Sequence, residues 1–343
     1  MLDTSAAARQ VALVGIVLGA TLVILLGLTA VVERPGTATA SWARPTLAPS
    51  ASAAPSSASL PASLPNAPSA SSSSPLLVPD PVLVGAGDIA DCGSDGDEAT
   101  AALLDSIGGT IFTAGDNAYP AGTIRDFQDC FAPSWGRHLD RIRAAPGNHD
   151  WETGDLTAYR DYFGAASAGV DGTSWYAYEL GTWQIIVLDS DCDRVDGCGP
   201  DSPQGRWLTA TLAASQARCT LAIWHHPRFS SGMHGDDPNV DPFWRALYSA
   251  GADVVINGHD HDYERFAPQD PDGREDRARG LREFVVGTGG VALRDIERTA
   301  PNSELRVSVV HGVLALTLRD GGYDWQFHPT TTDFSDHGTA SCH

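Results

Sequence analysis

ADVVINGHDHDYER, running from Ala252 to Arg265, joins a short apolar run to a turn crowded with histidine and carboxylate. A run of about four to eight residues rich in Val and Ile reads as a buried strand, and here the polar cluster follows at its carboxyl end. Working outward, the same pattern recurs in PVLVGAG (Pro81–Gly87), TIFTAG (Thr110–Gly115), WQIIVLDS (Trp183–Ser190), TLAIWHH (Thr220–His226) and REFVVGTGG (Arg282–Gly290). Helical stretches lie between several of these runs. DEATAALLDSI (Asp97–Ile107) opens on acidic residues and then spaces its apolar ones helically, so Asp97 and Glu98 read as a helix start rather than an acid–base pair. DPFWRALYSA (Asp241–Ala250) carries proline just inside its start. Strand alternating with helix predicts an α/β fold. GVLALTLRDGGYDWQFH (Gly312–His328) differs: two apolar runs about Asp-Gly-Gly predict a hairpin, hence an antiparallel edge or second sheet.

The rest of the 343-residue chain divides by composition. After a short segment 1–10, residues 11–32 read VALVGIVLGATLVILLGLTAVV without a charge. At ~1.5 Å per residue this length matches a bilayer core of about 30 Å, which predicts a transmembrane anchor. The competing reading is a cleaved signal peptide, which wants an apolar core of roughly 7–15 residues and a small-residue site such as Ala38-Thr39-Ala40. Arg9 and Arg34 flank the span and leave its orientation unsignalled. Residues 33–79 are dominated by Ser, Ala and Pro, too poor in large apolar groups to offset their ordering entropy, and are expected to form a disordered stalk. Residues 80–343 are long enough for one large domain.

A net charge of -21 argues against nucleic-acid binding, which wants a basic footprint. All 22 basic residues are arginine, a compositional bias. The six cysteines all lie in the last domain, and an even count beyond an anchor points to disulfides in an oxidising compartment. Fifteen pairings are formally possible for six cysteines. Cys192 and Cys198 are close enough to clip a loop, Cys219 with Cys342 would pin the C-terminal end, and Cys92 with Cys130 would brace neighbouring loops.

Polar residues collect where the strands end: Gly87-Asp88, GDNAY (Gly115–Tyr119), GNHD (Gly147–Asp150), WHHP (Trp224–Pro227) and GHDHDYER (Gly258–Arg265). Singly, each reads as turn chemistry or a structural histidine. Together Asp, Asp, Tyr, Asn and three His form a hard oxygen and nitrogen set suited to two divalent or trivalent ions, with glycine beside the donors leaving room.

The order GD, GDxxY, GNH(D/E), HxP and GHxHxYER resembles the calcineurin-like metallophosphoesterases. The tyrosine of GDNAY and the full GHDHDYER favour the purple acid phosphatase branch. YPAGTIRDFQDCFAPSWGRHLDRIRAAPGNHD resembles the family's text between the second and third motifs, and the likeness covers nearly all of Val82–Phe327 but neither anchor nor stalk. It departs at GDIA, where GDxG is common, and at Asp260 and Asp262, which flank the histidines. The resemblance implies two mixed sheets packed face to face with helices outside. It implies that Asp88, Tyr119 and His261 hold one ion, that Asn148, His225 and His259 hold a second, and that Asp116 bridges ions about 3.5–4 Å apart. Water made acidic by the ions would attack phosphorus, His149 would protonate the leaving alkoxide, and Asp150 would orient His149. Asn148 and His149 would contact the phosphate group; His234, in SSGMHGDD, reads either as a further phosphate contact or as a solvated loop histidine. The Tyr119 phenolate implies ferric iron at its position, with iron, zinc or manganese at the other.

The activity expected on this basis is hydrolysis of small-molecule phosphate monoesters by a domain outside the cell, membrane-held or secreted. A phosphodiesterase with the same centre is the nearest rival, to be separated by the loops near Arg194–Arg206 and Ser230–Asp237. A non-catalytic binding protein is the rival of another class, and the complete ligand set counts against it. No GxSxG elbow occurs. His226 is expected to point away from the site by strand alternation. His311, His328, His337 and His343 are read as structural or surface groups, and Tyr263 and Arg265 as packing beneath the site.

Overall fold

A computed structural model describes residues 79–343 apart from 168, 170, 171 and 297. The segment 1–10, the span 11–32 and the stalk up to residue 78 lie outside the described residues. Among those described, no helix is long and apolar enough to cross a membrane.

The strands are β1 (Val82–Ala86), β2 (Thr110–Ala114), β3 (Ile142–Ala145), β4 (Tyr176–Leu180), β5 (Trp183–Val187), β6 (Cys219–Ile223), β7 (Val254–Asn257), β8 (Tyr263–Phe266), β9 (Arg282–Val286), β10 (Ser303–Val307), β11 (Gly312–Arg319), β12 (Gly322–Pro329) and β13 (Asp336–Ser341). They build two mixed sheets, ordered β13-β12-β11-β1-β2-β3 and β10-β8-β9-β7-β6-β5-β4. In the first, β1, β2 and β3 are parallel and the hairpin β11–β12 joins antiparallel to β1. In the second, β5, β6, β7 and β9 are parallel, with antiparallel β4 and β8. The expected two-sheet α/β architecture is therefore present.

Alternation along the buried strands explains the layering. Leu221, Ile223, Val254 and Ile256 join Leu83, Phe112, Leu314 and Leu316 in one core between the sheets. Their neighbours Ala222 and Val255 face outward, where Leu208, Phe243, Trp244 and Leu247 cover them. These come from α4 (Pro203–Ala214) and α5 (Asp241–Ala250), while α1 (Gly96–Ser106), the single turn α2 (Ile124–Asp126) and α3 (Thr157–Phe163) follow the first-sheet strands. Burying apolar surface on both sides of a sheet stabilises it by roughly 25 cal/mol per Å2. Ser202 caps α4 by accepting from Gly205 N, with Pro203 at its first turn. All six cysteines pair, as Cys92–Cys130, Cys192–Cys198 and Cys219–Cys342. Central strands of both sheets release their polar turns along one edge of the sandwich.

Candidate metal centre

Each turn at that edge delivers donors. Asp88 follows β1, Asp116 and Tyr119 follow β2, Asn148 and His149 follow β3, His225 follows β6, and His259 and His261 follow β7. Asp88, Asp116 and His259 adopt left-handed backbone at φ 59°, 51° and 71°. Non-glycine residues seldom do so, and the strain persists only where the surroundings over-determine it. Here they do. Asp88 N and Ile89 N donate to Gly115 O and Asp116 O, each at 3.0 Å. His259 N donates to Asp88 Oδ2 at 2.7 Å, and His149 N to Asp116 Oδ1 at 2.8 Å.

The donors meet in two groups. Tyr119 Oη lies 2.9 Å from Asp88 Oδ1, and His261 Nε2 lies 3.3 Å from the same oxygen. His225 Nε2 lies 3.1 Å from Asn148 Oδ1 and 3.2 Å from His259 Nδ1. Asp116 Oδ2 touches both groups, 2.9 Å from Tyr119 Oη and 3.2 Å from His225 Nε2. All seven candidate ligands thus converge. The Nδ1 atoms of His225 and His261 each lie 2.8 Å from a carbonyl, of Ala114 and Ala292. Donation there turns each Nε2 lone pair into the centre, the usual arrangement behind a ligating imidazole.

The donor chemistry fits cations. Asp88 and Asp116 are buried beside a phenol, no arginine pairs with either among the described residues, and the chain has no lysine. Burial raises the Tyr119 phenol well above its ordinary range, and the charges of Asp116 and Asp88 add to that. For Asp116, burial pushes upward, but the charge of His225 and its hydrogen bond outweigh it and hold the carboxyl well below the usual range. Buried acids gathered so closely are costly without a compensating charge. Space is kept for them by glycine: a Cβ at position 147 would sit 2.3 Å from Asp116 Oδ1, and one at 258 would sit 2.6 Å from Asp88 Oδ2.

Around this cluster two expectations need correction. Asp150 does not orient His149. Its carboxylate is taken up by Gly147 N at 2.9 Å and the Asn117 amide at 2.8 Å, so it ties the second loop to the third. His149 is held instead by Pro120 O, 2.6 Å from its Nδ1, and its ring packs 4.3 Å from Tyr119. Its Nε2 stands 3.9 Å from Asp116 Oδ2. Nor does His226 point away. β6 ends at Ile223, so alternation no longer governs three residues later, and the His226 ring lies 4.3 Å from that of His259. His225, His226 and His259 bring ring nitrogens within 4.8 Å of one another.

His234 is exposed at the mouth, its ring 4.2 Å from His259 and its Nε2 in contact with the Arg294 guanidinium. Asp260 accepts from His234 N at 2.8 Å and from Ser230 Oγ, anchoring the loop that carries His234. Arg294 escaped sequence reading because it lies in an irregular stretch after β9, where its amide donates to His261 O at 3.1 Å. Tyr263 and Arg265 face away, both donating to Asp336 Oδ2, at 2.6 and 2.8 Å. His311 and His343 bond to the carbonyls of Val291 and Gly280, outside the cluster.

Two mixed sheets with paired carboxylates, a phenol, an amide and imidazoles at one edge define a metallophosphoesterase-type centre. The calcineurin-like phosphoesterase family model matches residues 75–263, and the chain belongs to that family. It is 28% identical over 188 residues to an uncharacterized protein of Mycobacterium tuberculosis, covering 43% of this chain and 35% of that one. It is 26% identical over 242 residues to purple acid phosphatase 21 of Arabidopsis thaliana, covering 61% and 53%. The chain thus spans about half or less of the length of these relatives. Purple acid phosphatase PPD1 from yellow lupin seeds shares the fold, with a TM-score of 0.60 at 16% identity over 76% of this chain and 53% of the other. The family implies a binuclear metal centre, and the residues that could form one are those gathered here.

Proposed function

We propose that the domain hydrolyses phosphate monoesters of small molecules at this centre in a metal-dependent reaction. The observation that carries the reading is the meeting of seven donors from five separate turns, with Asp116 in contact with both groups. Asp88, Tyr119 and His261 would hold one ion, Asn148, His225 and His259 the other, and Asp116 both. The phenol among the first set favours ferric iron there, and the second set accepts iron, zinc or manganese. Two such cations supply Lewis acidity toward the phosphoryl oxygens and toward water.

The chain's own groups do the remaining work. His149 donates Nδ1–H to Pro120 O, and in its doubly protonated form Nε2 would pass its own proton to the leaving oxygen. Asn148 and His234 bind phosphoryl oxygens, and Arg294 adds a cation beside His234. Three disulfides support an oxidising compartment for the domain. An anchor at residues 11–32 would hold it outside a membrane.

The test is p-nitrophenyl phosphate turnover by the full chain, with and without chelator and with Asp116→Asn. Metal-dependent turnover that collapses in the variant is expected, with bis(p-nitrophenyl) phosphate the slower substrate. Absence of turnover on both esters by folded, metal-loaded protein would leave the binding-protein reading in its place.

A further inference from the structure

Beside the cluster lies a cavity of about 270 Å3, lined by Ser190, Asp191, Asp193, Arg194, His226 and Asp237 among others. The fold builds it in advance. Cys192–Cys198 closes its loop. Gln204 grips Asp189 twice, donating Nε2 to its carbonyl and accepting from its amide, each at 2.8 Å. Asp237 is fixed by accepting from Asn239 N at 2.9 Å. His226 N donates to Ser190 Oγ at 3.0 Å, so the histidine forms a wall shared with the centre.

The His259 ring is flanked by two different environments. Its contact with His226, at 4.3 Å, leads to the cavity. Its contact with His234, at 4.2 Å, leads to Arg294, which has no carboxylate partner among the described residues. A phosphoryl group is drawn to the cationic flank, and the alcohol it carries is left facing the cavity. Charge in the cavity is of the opposite sign. Asp193 and Asp237 contribute carboxylates, and Arg194 offsets one of them. Burial, with the charge of Asp189 added, pushes the Asp191 carboxyl up to about 8.

We propose that this cavity binds the alcohol portion of the ester and selects a leaving group bearing an ammonium, so that amino-alcohol phosphates are favoured over esters carrying a second anion. This rests on the phosphoesterase reading above. An ammonium placed there meets the carboxylates of Asp193 and Asp237 while its phosphoryl end reaches the donors around Asp116. A second phosphate in the same place meets both carboxylates with only Arg194 to oppose them.

The full chain, loaded with metal, is assayed on phosphoethanolamine, glycerol phosphate and a sugar bisphosphate, with p-nitrophenyl phosphate alongside. kcat/KM is expected to fall in the order ammonium, neutral, anionic. Asp193→Asn and Asp237→Asn should each shrink the ammonium-to-neutral ratio by about threefold, the effect of one exposed ion pair. Arg194→Ala should widen it. Binding of free ethanolamine, followed by saturation-transfer NMR, should weaken in the two Asn variants, a readout that needs no turnover. Equal kcat/KM for the three esters, or a ratio unmoved by both substitutions, overturns the proposal while p-nitrophenyl phosphate turnover still upholds the phosphoesterase reading. Loss of turnover on every ester in the folded wild type removes that reading and the proposal with it.

Discussion

Removing the Cys219–Cys342 bridge should destabilise the domain more than removing either of the others, and the sizes follow from the loops they close. Cross-linking restricts the unfolded chain by an entropy that grows with the logarithm of loop length. A separation of 123 residues corresponds to about 5 kcal/mol at 25 °C. Separations of 38 for Cys92–Cys130 and 6 for Cys192–Cys198 correspond to about 4 and about 2 kcal/mol. Cys219 is buried at the start of β6 and Cys342 directly follows β13, so the longest bridge ties the edge strand of one sheet to the middle of the other. The perturbation is paired Cys→Ala substitution, one bridge at a time, followed by urea unfolding without reductant and read by tryptophan fluorescence. With a slope of ~2–3 kcal/mol/M, the midpoints of the longest- and shortest-loop variants should lie about 1 M apart. If loss of Cys192–Cys198 costs as much as loss of Cys219–Cys342, loop entropy is not the source of the stability and the reasoning fails.

Three further outcomes are expected. His149→Ala should lower kcat on an alkyl phosphate by roughly 10²–10⁴-fold but much less on p-nitrophenyl phosphate, whose leaving group needs little protonation; equal losses on the two esters would remove the proton-donor role. Arg294→Ala should raise KM about tenfold with kcat little changed, and Arg294→Lys should recover part of it, since a charge-assisted bond to substrate is lost from ground and transition states alike. Burial raises the Asp336 carboxyl, but hydrogen bonds from Arg265 and Tyr263 outweigh that and hold it below the usual range. A lowered folded-state pKa gives stability that is fully present above the unfolded value of about 3.9 and is lost as pH falls through the folded one. Acid unfolding below pH ~4 should therefore be shallower in Asp336→Asn than in the wild type, as followed by circular dichroism.

The central strands could be read because they are buried on both faces and so are largely apolar, and each hands over to a polar turn, glycine-bearing after β1, β2, β7 and β9. β1, β2, β5, β6, β7 and β9 all announce themselves in this way, and with them six of the seven donors; Asn148 follows β3 and is legible only through its GNHD turn. The strands that went unread lack that signature for physical reasons. β13, DHGTAS, is an edge strand whose place is set by its ladder with β12, and polar residues are what an edge tolerates. β8, YERF, directly follows the donor turn and was absorbed into its motif. The errors around the site have the same origin. Asp150 is next to His149 in sequence, yet adjacent side chains in a turn diverge, and its partners are Asn117 and Gly147. His226 was assigned by a strand rule that had ceased to hold at Ile223. Metal donors need a strand end, a sharp turn and a particular side chain, a combination that leaves a local mark. The groups that meet the rest of the substrate, Arg294 on one flank and Asp193 and Asp237 on the other, are brought in by long loops whose course depends on a disulfide, a buried glutamine and an anchoring aspartate. Selectivity in this domain is therefore set by contacts between distant segments, and the donor motifs alone could name the chemistry but not the ester.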